Sequence, residues 1–429
     1  MKTIIKILIL LLTYVDSIGQ NIDIQSKIKY NTEKAQNYLD KEKLLSGFYS
    51  IDADGIKMYA SPKDKLSNKI EFFIRWEQIE NFNNLLKFNS TTSMLAKYNA
   101  GQLNGFPDEI YIAPKTITPE KKLIGYKIAL DPGHIANDLE TGDLEKKYLK
   151  IKGDRINGIK DSIEIAEGML TFATAKLLKE KLENEGAAVF LTRLGDKCAF
   201  GKTFAQWKKD DLKNAVDSLY KIGELKASQK QYFLSKKAND RDIFRVVFKD
   251  LELAKRAEII NNFHPDLTVV IHFNVDETNL KWEKTSNKDF NMTFVAGAFM
   301  KNDLSTKEKR FEFLRLLISD NLERSISLSS SVVKSFENEI KVPTATIRDA
   351  KYLIEGCVMA ANGVYCRNLQ LPRYIHSPIV YGETLYQDNI NECKALNAES
   401  DKTKNKRVQQ IAEAYFKGIL EYTATLSEK

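Results

Sequence analysis

Histidine is scarce in this sequence: only four of its 429 residues are histidines. Cysteine is equally rare, with four residues. Apolar runs are short, since the most apolar stretch covers only about Ile4 to Tyr14, whereas a membrane-spanning helix needs about 20 apolar residues. Because so few side chains can bind a metal through nitrogen or sulfur, the position of each one is informative.

The cysteines are spaced too irregularly for a zinc knuckle. They stand at Cys198, Cys357, Cys366 and Cys393. Cys357 and Cys366 flank a hairpin turn at residues 361–363, so in an oxidising compartment they can form a disulfide. Both can equally remain free and buried, and the sequence leaves these alternatives open.

The charge is mixed rather than concentrated in one patch. The net charge of +7 is spread over the whole chain, and lysine-rich runs also contain acids. This pattern argues against a nucleic-acid-binding groove. A modest positive excess suits an exported protein near an anionic cell wall, although an ordinary solvated surface explains it equally well.

The N-terminal segment has the features of a signal peptide. Lys2 and Lys6 lie at the start of the apolar run, and the small residues Ser17 and Gly19 follow it. We predict a cleaved signal peptide at residues 1–19 and export to the periplasm or cell envelope. A membrane anchor is the alternative, but the run is too short to span about 30 Å of hydrocarbon. We therefore expect no stable membrane span after cleavage.

Residues 20–120 are predicted to form a small α+β accessory region whose role the sequence does not disclose. Helical spacing of apolar residues is followed by a hairpin signature around Asp52-Ala-Asp-Gly55. The predicted elements are a helix at 24–46, a hairpin at 48–60, a strand at IEFFIRW, a helix at 78–99 and a strand at IYIAP.

Residues 125–429 change to short apolar strands that alternate with amphipathic helices. This rhythm predicts an α/β fold, a three-layer sandwich with a mostly parallel sheet between helices. A polar, helical insertion at about 197–250 interrupts it. Strands are predicted at 127–131, 187–192, 267–272, 293–299 and 379–383, and helices at 162–185, 250–263, 306–326 and 404–426.

Two of these strands end in histidine. The segment KIALDPGH ends at His134, and LTVVIHFN contains His272 near its end. The helix predicted after the first strand offers Glu164 and Glu167, either of which can complete the set. Two histidines and one glutamate are a standard ligand set for catalytic zinc, which keeps one position open for water.

These segments resemble the zinc-dependent N-acetylmuramoyl-L-alanine amidases of bacterial cell-wall metabolism, the amidase_3 type, over residues 125–425. In that family a strand ending in GHGG, a helix beginning with a ligand glutamate, a strand ending in LTR and a strand reading SIHAN follow one another. Here the counterparts are IALDPGH, the helix from Glu167, VFLTRLGD and DLTVVIHFN. The family's helix spacing selects Glu167, because Phe172, Ala175 and Leu178 then fall at the apolar positions.

The resemblance implies a cofactor and a substrate. His134, Glu167 and His272 would bind Zn²⁺, and peptidoglycan would be cleaved between N-acetylmuramic acid and L-alanine. Some segments depart from the family, since GHGG has become GHIA and SIHAN has become VIHFN. These departures reshape the cleft around an unchanged set of chemical groups. A related zinc hydrolase acting on another amide or peptide, or a catalytically silent wall-binding protein, is the alternative.

The family's general acid/base also has a counterpart. Residues 377–389, SPIVYGETLYQDN, resemble the family motif P-x-x-L-V-E-x-x-F-x-S-N. Pro378 lies five residues before Glu383, and Asn389 closes the motif. The resemblance therefore assigns the catalytic role to Glu383. Glu355 is the competitor, but no proline lies five residues before it.

The insertion invites a hypothesis about regulation. Some members of the family carry a helix that blocks the metal until a partner protein displaces it. The insertion contains Asp210, Asp211 and Glu224, which could cap an open zinc position until an activator binds. The alternative is that the insertion is a surface feature without a role in regulating the site.

The remaining histidines and the tryptophans have simpler interpretations. His264, which precedes a proline at a helix end, is predicted to be a C-terminal cap. His376 can line the cleft or serve only the fold. Trp76, Trp207 and Trp282 can stack on sugars or pack in the interior, and packing is the expectation.

Overall fold

The computed structural model divides the chain into two compact units. One unit combines the N-terminal region up to Asp108 with Gly297–Asp320, and the other combines Glu109–Ala296 with Asn321–Lys429. The structure describes residues 23–86, 89–102, 114–136, 138–154 and 158–427.

The first unit contains a three-stranded antiparallel sheet in the order β1-β2-β3, with helices around it. Later in the chain, Gly297–Asp320 contributes one further helix, α12, to this unit. The elements are α1 (23–34) with a following π turn (Ala35–Leu39), β1 (Tyr49–Asp52), β2 (Gly55–Tyr59), α2 (Pro62–Leu66), β3 (Ile70–Arg75), α3 (Ile79–Leu86), α4 (Thr91–Asn99) and α12 (Lys307–Ile318).

The predicted hairpin at 48–60 is confirmed. β1 and β2 pair antiparallel, with Asp52 opposite Gly55. Gly55 has φ +146°, and a Cβ there would lie 2.2 Å from the carbonyl oxygen of Ile74. The chain therefore needs glycine at this turn.

Other predictions in this region need correction. The helix predicted at 24–46 ends at Leu39, and the helix predicted at 78–99 is two helices, α3 and α4. The strand predicted at IYIAP lies, apart from Pro114, outside the described residues. The core of the unit depends on α12, because the ring of Phe311 packs 5.3 Å from that of Phe72 and 5.9 Å from that of Phe82.

The second unit is built on a seven-stranded sheet in the order β10-β11-β9-β12-β8-β4-β7. Neighbours in the run β12-β8-β4-β7 are parallel, whereas β9 pairs antiparallel with β12. The mostly parallel sheet is thus confirmed, and β4, β8 and β12 end at one edge. The strands are β4 (Lys127–Pro132), β7 (Ala188–Leu191), β8 (Leu267–Asn274), β9 (Met292–Val295), β10 (Cys357–Ala361), β11 (Val364–Arg367) and β12 (Ile379–Tyr386), beside a separate pair, β5 (Tyr148–Ile151) and β6 (Ile163–Ala166).

Helices cover both faces of this sheet, which confirms the three-layer sandwich. Ile128 and Val269 belong to the larger apolar core with the long helices α6, α13 and α17. Ala129 and Val270, one residue further along each strand, pack on the other face with α11 and α15. The helices are α5 (Leu139–Glu145), α6 (Glu167–Asn184), α11 (Lys249–Phe263), α13 (Asn321–Glu339), α14 (Lys351–Gly356), α15 (Gln370–Tyr374), α16 (Ile390–Asn397) and α17 (Lys406–Ser427).

Two helix predictions have different boundaries in the structure. The stretch predicted as one helix from residue 162 forms β6 first, and α6 begins only at Glu167. The helix predicted at 306–326 is two helices, α12 and α13, interrupted where Ser319 takes an extended conformation. These two helices belong to different units, a division that the apolar periodicity along the sequence does not reveal.

The predicted helical insertion is confirmed, and it has an aromatic core of its own. The ring of Trp207 lies 4.7 Å from that of Phe248 in an edge-on contact. Ile135 and Leu144, from the segment after β4, pack into the same cluster. The insertion therefore supports the segment that follows His134. Its helices are α7 (Phe204–Asp210), α8 (Leu212–Lys221), α9 (Ala227–Phe233) and α10 (Asp240–Ile243), and a π turn (Phe244–Phe248) leads into α11.

The disulfide alternative is wrong, and the free, buried alternative is correct. All four cysteines are free and buried. β10 and β11 do form the expected hairpin, but Cys366 lies opposite Val358, whereas Cys357 lies opposite Arg367. Since neighbouring residues of a strand point to opposite faces, the two thiols lie on opposite faces of the sheet. None of the described helices is long and apolar enough to cross a membrane.

Candidate metal centre

The site lies at the edge where β4 and β8 end and α6 begins. His134 follows β4 after a sharp bend. Its backbone has φ +63°, a conformation that residues other than glycine rarely adopt. The glycine before it lies against the imidazole of His272, because a Cβ on Gly133 would be 2.3 Å from a ring carbon of that histidine. Glycine at position 133 is therefore required for the two strand ends to approach each other this closely.

The three predicted ligands converge here. Glu167 Oε1 lies 3.2 Å from His134 Nε2 and 3.1 Å from His272 Nδ1. The candidate ligand atoms of the three residues all lie within 4.8 Å of one another. Glu164, the alternative, lies on β6 and pairs with Lys150 at 3.4 Å. Glu167, as the first residue of α6, is the carboxylate that meets both imidazoles.

The buried polar atoms of this group fit a divalent cation. Among the described residues, no hydrogen bond of good geometry reaches His134 Nε2, Glu145 Oε2 or Glu167 Oε2. Buried polar atoms without partners are costly, and a cation between them would satisfy the ligand atoms. Two imidazoles and one carboxylate are a donor set that suits zinc.

The pKa values of these residues also bear on whether a cation fits between them. Burial favours the neutral form of His134, but attraction to Glu167 and Glu145 outweighs it and raises the pKa of His134 to about 9. Burial lowers the pKa of His272 to about 4. The pKa of Glu167 falls well below its usual range because the attraction of His134 and Lys147 outweighs burial. The carboxylates of Glu167 and Glu145 thus favour positive charge beside His134, which a bound cation would supply.

Two buried arginines hold the loop that carries His134. Arg256 donates to the carbonyl oxygens of Pro132 and His134, each at 2.8 Å, and it pairs with Asp131 at 3.2 Å. Arg193 donates to the carbonyl oxygen of Pro132 at 3.2 Å and to that of Gly168, near the start of α6, at 2.7 Å. The sequence match VFLTRLGD contains Arg193, but only the folded structure shows that Arg193 and Arg256 fix the loop backbone.

The sequence patterns did not indicate Glu145 or Lys147. Glu145 Oε2 lies 3.0 Å from His134 Nδ1. Lys147 Nζ lies 3.7 Å from Glu167 Oε2 and 4.8 Å from the ring centre of Trp282. Glu145 is the last residue of the short helix α5 and Lys147 follows that helix. No sequence pattern predicts the helix, so the proximity of both residues to the site appears only when the strands are assembled.

The tryptophans occupy three different environments. Trp207 is buried in the insertion, and Trp76 donates from its indole nitrogen to the carbonyl oxygen of Asp52. Trp282 packs against Lys147 and therefore lies close to the candidate site. The expectation of packing is confirmed for Trp207.

Glu383 lies beside the three converging residues. It is in register with His272 across the parallel pair β12 and β8. Burial, helped by the negative charge of Glu167, raises the pKa of Glu383 to about 8. Tyr381, two residues earlier on β12, stacks on the imidazole of His272 at 4.6 Å. Glu355, by contrast, is exposed on α14 and pairs with Lys351.

The other candidates lie elsewhere. His264 is the C-terminal cap of α11, with φ +52°, as predicted. His376 precedes β12, so it lies towards the opposite edge of the sheet, where its N–H donates to Asn261. In the insertion, Asp210 and Asp211 pair with Lys202 at 3.3 and 2.6 Å.

The third insertion acid, Glu224, is exposed. Neither it nor the two aspartates belongs to the candidate metal group. The structure therefore does not place the insertion acids as a cap on the metal.

A three-layer α/β fold with two histidines and a glutamate gathered at the carboxyl edge of its sheet defines a protein with a candidate metal centre. The sequence model of the family described as N-acetylmuramoyl-L-alanine amidase, Amidase_3, matches residues 128–421. The chain therefore belongs to that family.

Solved structures with a similar fold are amidases. They include the CwlD amidase from Clostridioides difficile in complex with the GerS lipoprotein (18% identity, 70% of this chain and 99% of that chain, TM-score 0.37). The apo form of Ami1 from Mycobacterium abscessus is 16% identical over 70% of this chain and 99% of that chain, with TM-score 0.37. The catalytic domain of CwlV from Bacillus (Paenibacillus) polymyxa var. colistinus is 16% identical over 71% of this chain and 99% of that chain, with TM-score 0.36. No curated protein matches the chain.

Proposed function

We propose that this protein is a zinc-dependent hydrolase that cleaves the amide bond between N-acetylmuramic acid and L-alanine in peptidoglycan. The observation that carries the proposal is the convergence of His134, Glu167 and His272 at one edge of the sheet. Family membership supplies the substrate class. The three residues would hold Zn²⁺, which polarises the scissile carbonyl and lowers the pKa of a bound water.

Glu383 is the proton-transfer group in this proposal. Its carboxylate takes the proton of the attacking water and later donates it to the departing amine of L-alanine. A carboxyl group with a raised pKa suits both steps, because it holds a proton and also releases it near neutral pH. Tyr381 keeps the neighbouring imidazole of His272 in place by stacking on it.

Substitution of Glu383 separates metal binding from catalysis. We expect Glu383→Gln to retain zinc but to digest purified sacculi at least about 100-fold more slowly, the scale of general acid/base catalysis. His134→Ala should lose both zinc and hydrolysis. Glu355→Gln, which changes an exposed glutamate on α14, is the matched control and should change neither. Sacculus digestion by Glu383→Gln at the parental rate would contradict the assignment.

Hydrolysis of a different amide is a second candidate function. The observation that favours it is Ile135, which stands where the family motif has glycine and packs into the core of the insertion. Mass spectrometry of the released products distinguishes the two, since cleavage at the lactyl amide frees intact stem peptides. A zinc-loaded protein that binds sacculi without releasing any product would instead be a wall-binding protein.

The cellular context is also part of the proposal. We propose that residues 1–19 are a signal peptide and that the protein acts in the periplasm or cell envelope. N-terminal sequencing of the mature protein tests this, because an intact N-terminus would contradict it. A protein activator would be a second partner. We propose the insertion at 197–250 as its binding region.

A further inference from the structure

Glu145 is a buried carboxylate beside the candidate metal group that is not one of the three converging residues. Its side chain is only 2% exposed, and Oε2 lies 3.0 Å from His134 Nδ1. The other oxygen, Oε1, accepts the backbone N–H of Ile135 at 2.7 Å. The contact of Oε2 with the imidazole is a close electrostatic one, since among the described residues no hydrogen bond of good geometry reaches this oxygen.

We propose that Glu145 is a positioning residue that fixes the orientation and tautomer of His134. With Nδ1 turned towards this carboxylate, a metal-bound imidazole would keep its proton on Nδ1 and present the lone pair of Nε2 to the metal position. A carboxylate behind a ligand histidine also makes the imidazole a stronger ligand. The inference rests on the proposed function, since it concerns the affinity of this chain for zinc.

The contacts of Glu145 support a fixed position rather than a surface charge. A carboxylate buried without a partner is unfavourable, and here Oε1 accepts a backbone N–H while Oε2 is in electrostatic contact with the imidazole. Arg256 donates to the carbonyl oxygen of His134 at 2.8 Å, so the histidine is held at its backbone and beside its ring. The segment between His134 and Glu145 is anchored by Ile135 and Leu144, which pack into the insertion.

Metal affinity is the direct test. Zinc affinity of the full mature chain is measured by competition with a chromogenic chelator. We expect Glu145→Ala to raise the Kd about 10- to 100-fold. Glu145→Gln should show a smaller loss, because its amide oxygen can still accept the Nδ1 proton. Glu140→Gln, at an exposed position on the same helix, is the matched control and should bind zinc like the parent.

A spectroscopic readout separates positioning from general destabilisation. Co²⁺ bound in place of zinc should give an altered visible absorption spectrum in both Glu145 variants and an unchanged one in Glu140→Gln. If Glu145→Ala fails to fold, Glu145→Gln decides the question. Parental zinc affinity and an unchanged Co²⁺ spectrum in the folded Glu145 variants would overturn this inference alone. Failure of the parent protein to bind zinc would instead overturn the proposed function.

Discussion

A single missing side chain decides how closely the two imidazoles approach each other. At Gly133, an added Cβ would lie 2.3 Å from a ring carbon of His272, which is shorter than any van der Waals contact. Gly133→Ala must therefore displace His272, and a shift of about 1 Å near a reacting centre can reduce activity about 100-fold. We expect at least a tenfold loss of sacculus hydrolysis together with weaker zinc binding.

The control for this substitution is Gly356→Ala. A Cβ at Gly356 would meet no atom within 4 Å, so the activity of that variant should stay at the parental level. Equal activities of the two variants would show that close approach at Gly133 is not needed for hydrolysis.

The residues that could be recognised from the sequence are those whose chemistry has a local pattern. His134 and His272 stand out because each lies at or near the end of an apolar strand, and the family spacing selects Glu167. Glu145 and Lys147 were missed, because nothing nearby in the sequence distinguishes them from other charged residues. Their proximity to the site arises only when β4, β5 and α6 assemble.

Among the secondary-structure elements, buried strands could be predicted from the sequence, whereas breaks within long helical stretches could not. β8 was predicted well because a parallel strand covered on both faces is a continuous apolar run. The break between α12 and α13 was missed, since apolar periodicity continues on both sides of Ser319. The disulfide alternative was also wrong for a reason at this scale. A difference of one residue in the register of β10 and β11 places the side chains of Cys357 and Cys366 on opposite faces of the sheet.

Substitution of Trp207 tests whether the insertion supports the segment that follows His134 or blocks the candidate site. Trp207 is 2% exposed in its aromatic core, and truncating such a side chain typically costs about 3–5 kcal/mol. Ile135 belongs to the same core, so Trp207→Ala should loosen the segment that follows His134. We expect a lower thermal unfolding temperature and reduced hydrolysis of sacculi.

An insertion that blocked the site would give the opposite result, because loosening it would raise activity. Tyr220→Ala, which removes an aromatic side chain that is 43% exposed on the same insertion, should leave both the unfolding temperature and the activity close to those of the parent. Higher activity in Trp207→Ala than in the parent would favour blocking.

For the whole molecule, zinc and folding should be coupled. The proposed ligands His134, Glu167 and His272 lie far apart in the sequence and are brought together only in the folded chain. A metal that binds the folded chain and not the unfolded one stabilises it by RT ln(1 + [L]/Kd), about 2.7 kcal/mol when free zinc is 100 times the Kd. A strong chelator should therefore lower the unfolding temperature of the parent, and added zinc should restore it. In His134→Ala the chelator should have little effect, because one ligand is lost. A chelator-induced shift of equal size in the parent and in His134→Ala would mean that the stabilising metal binds somewhere other than this group.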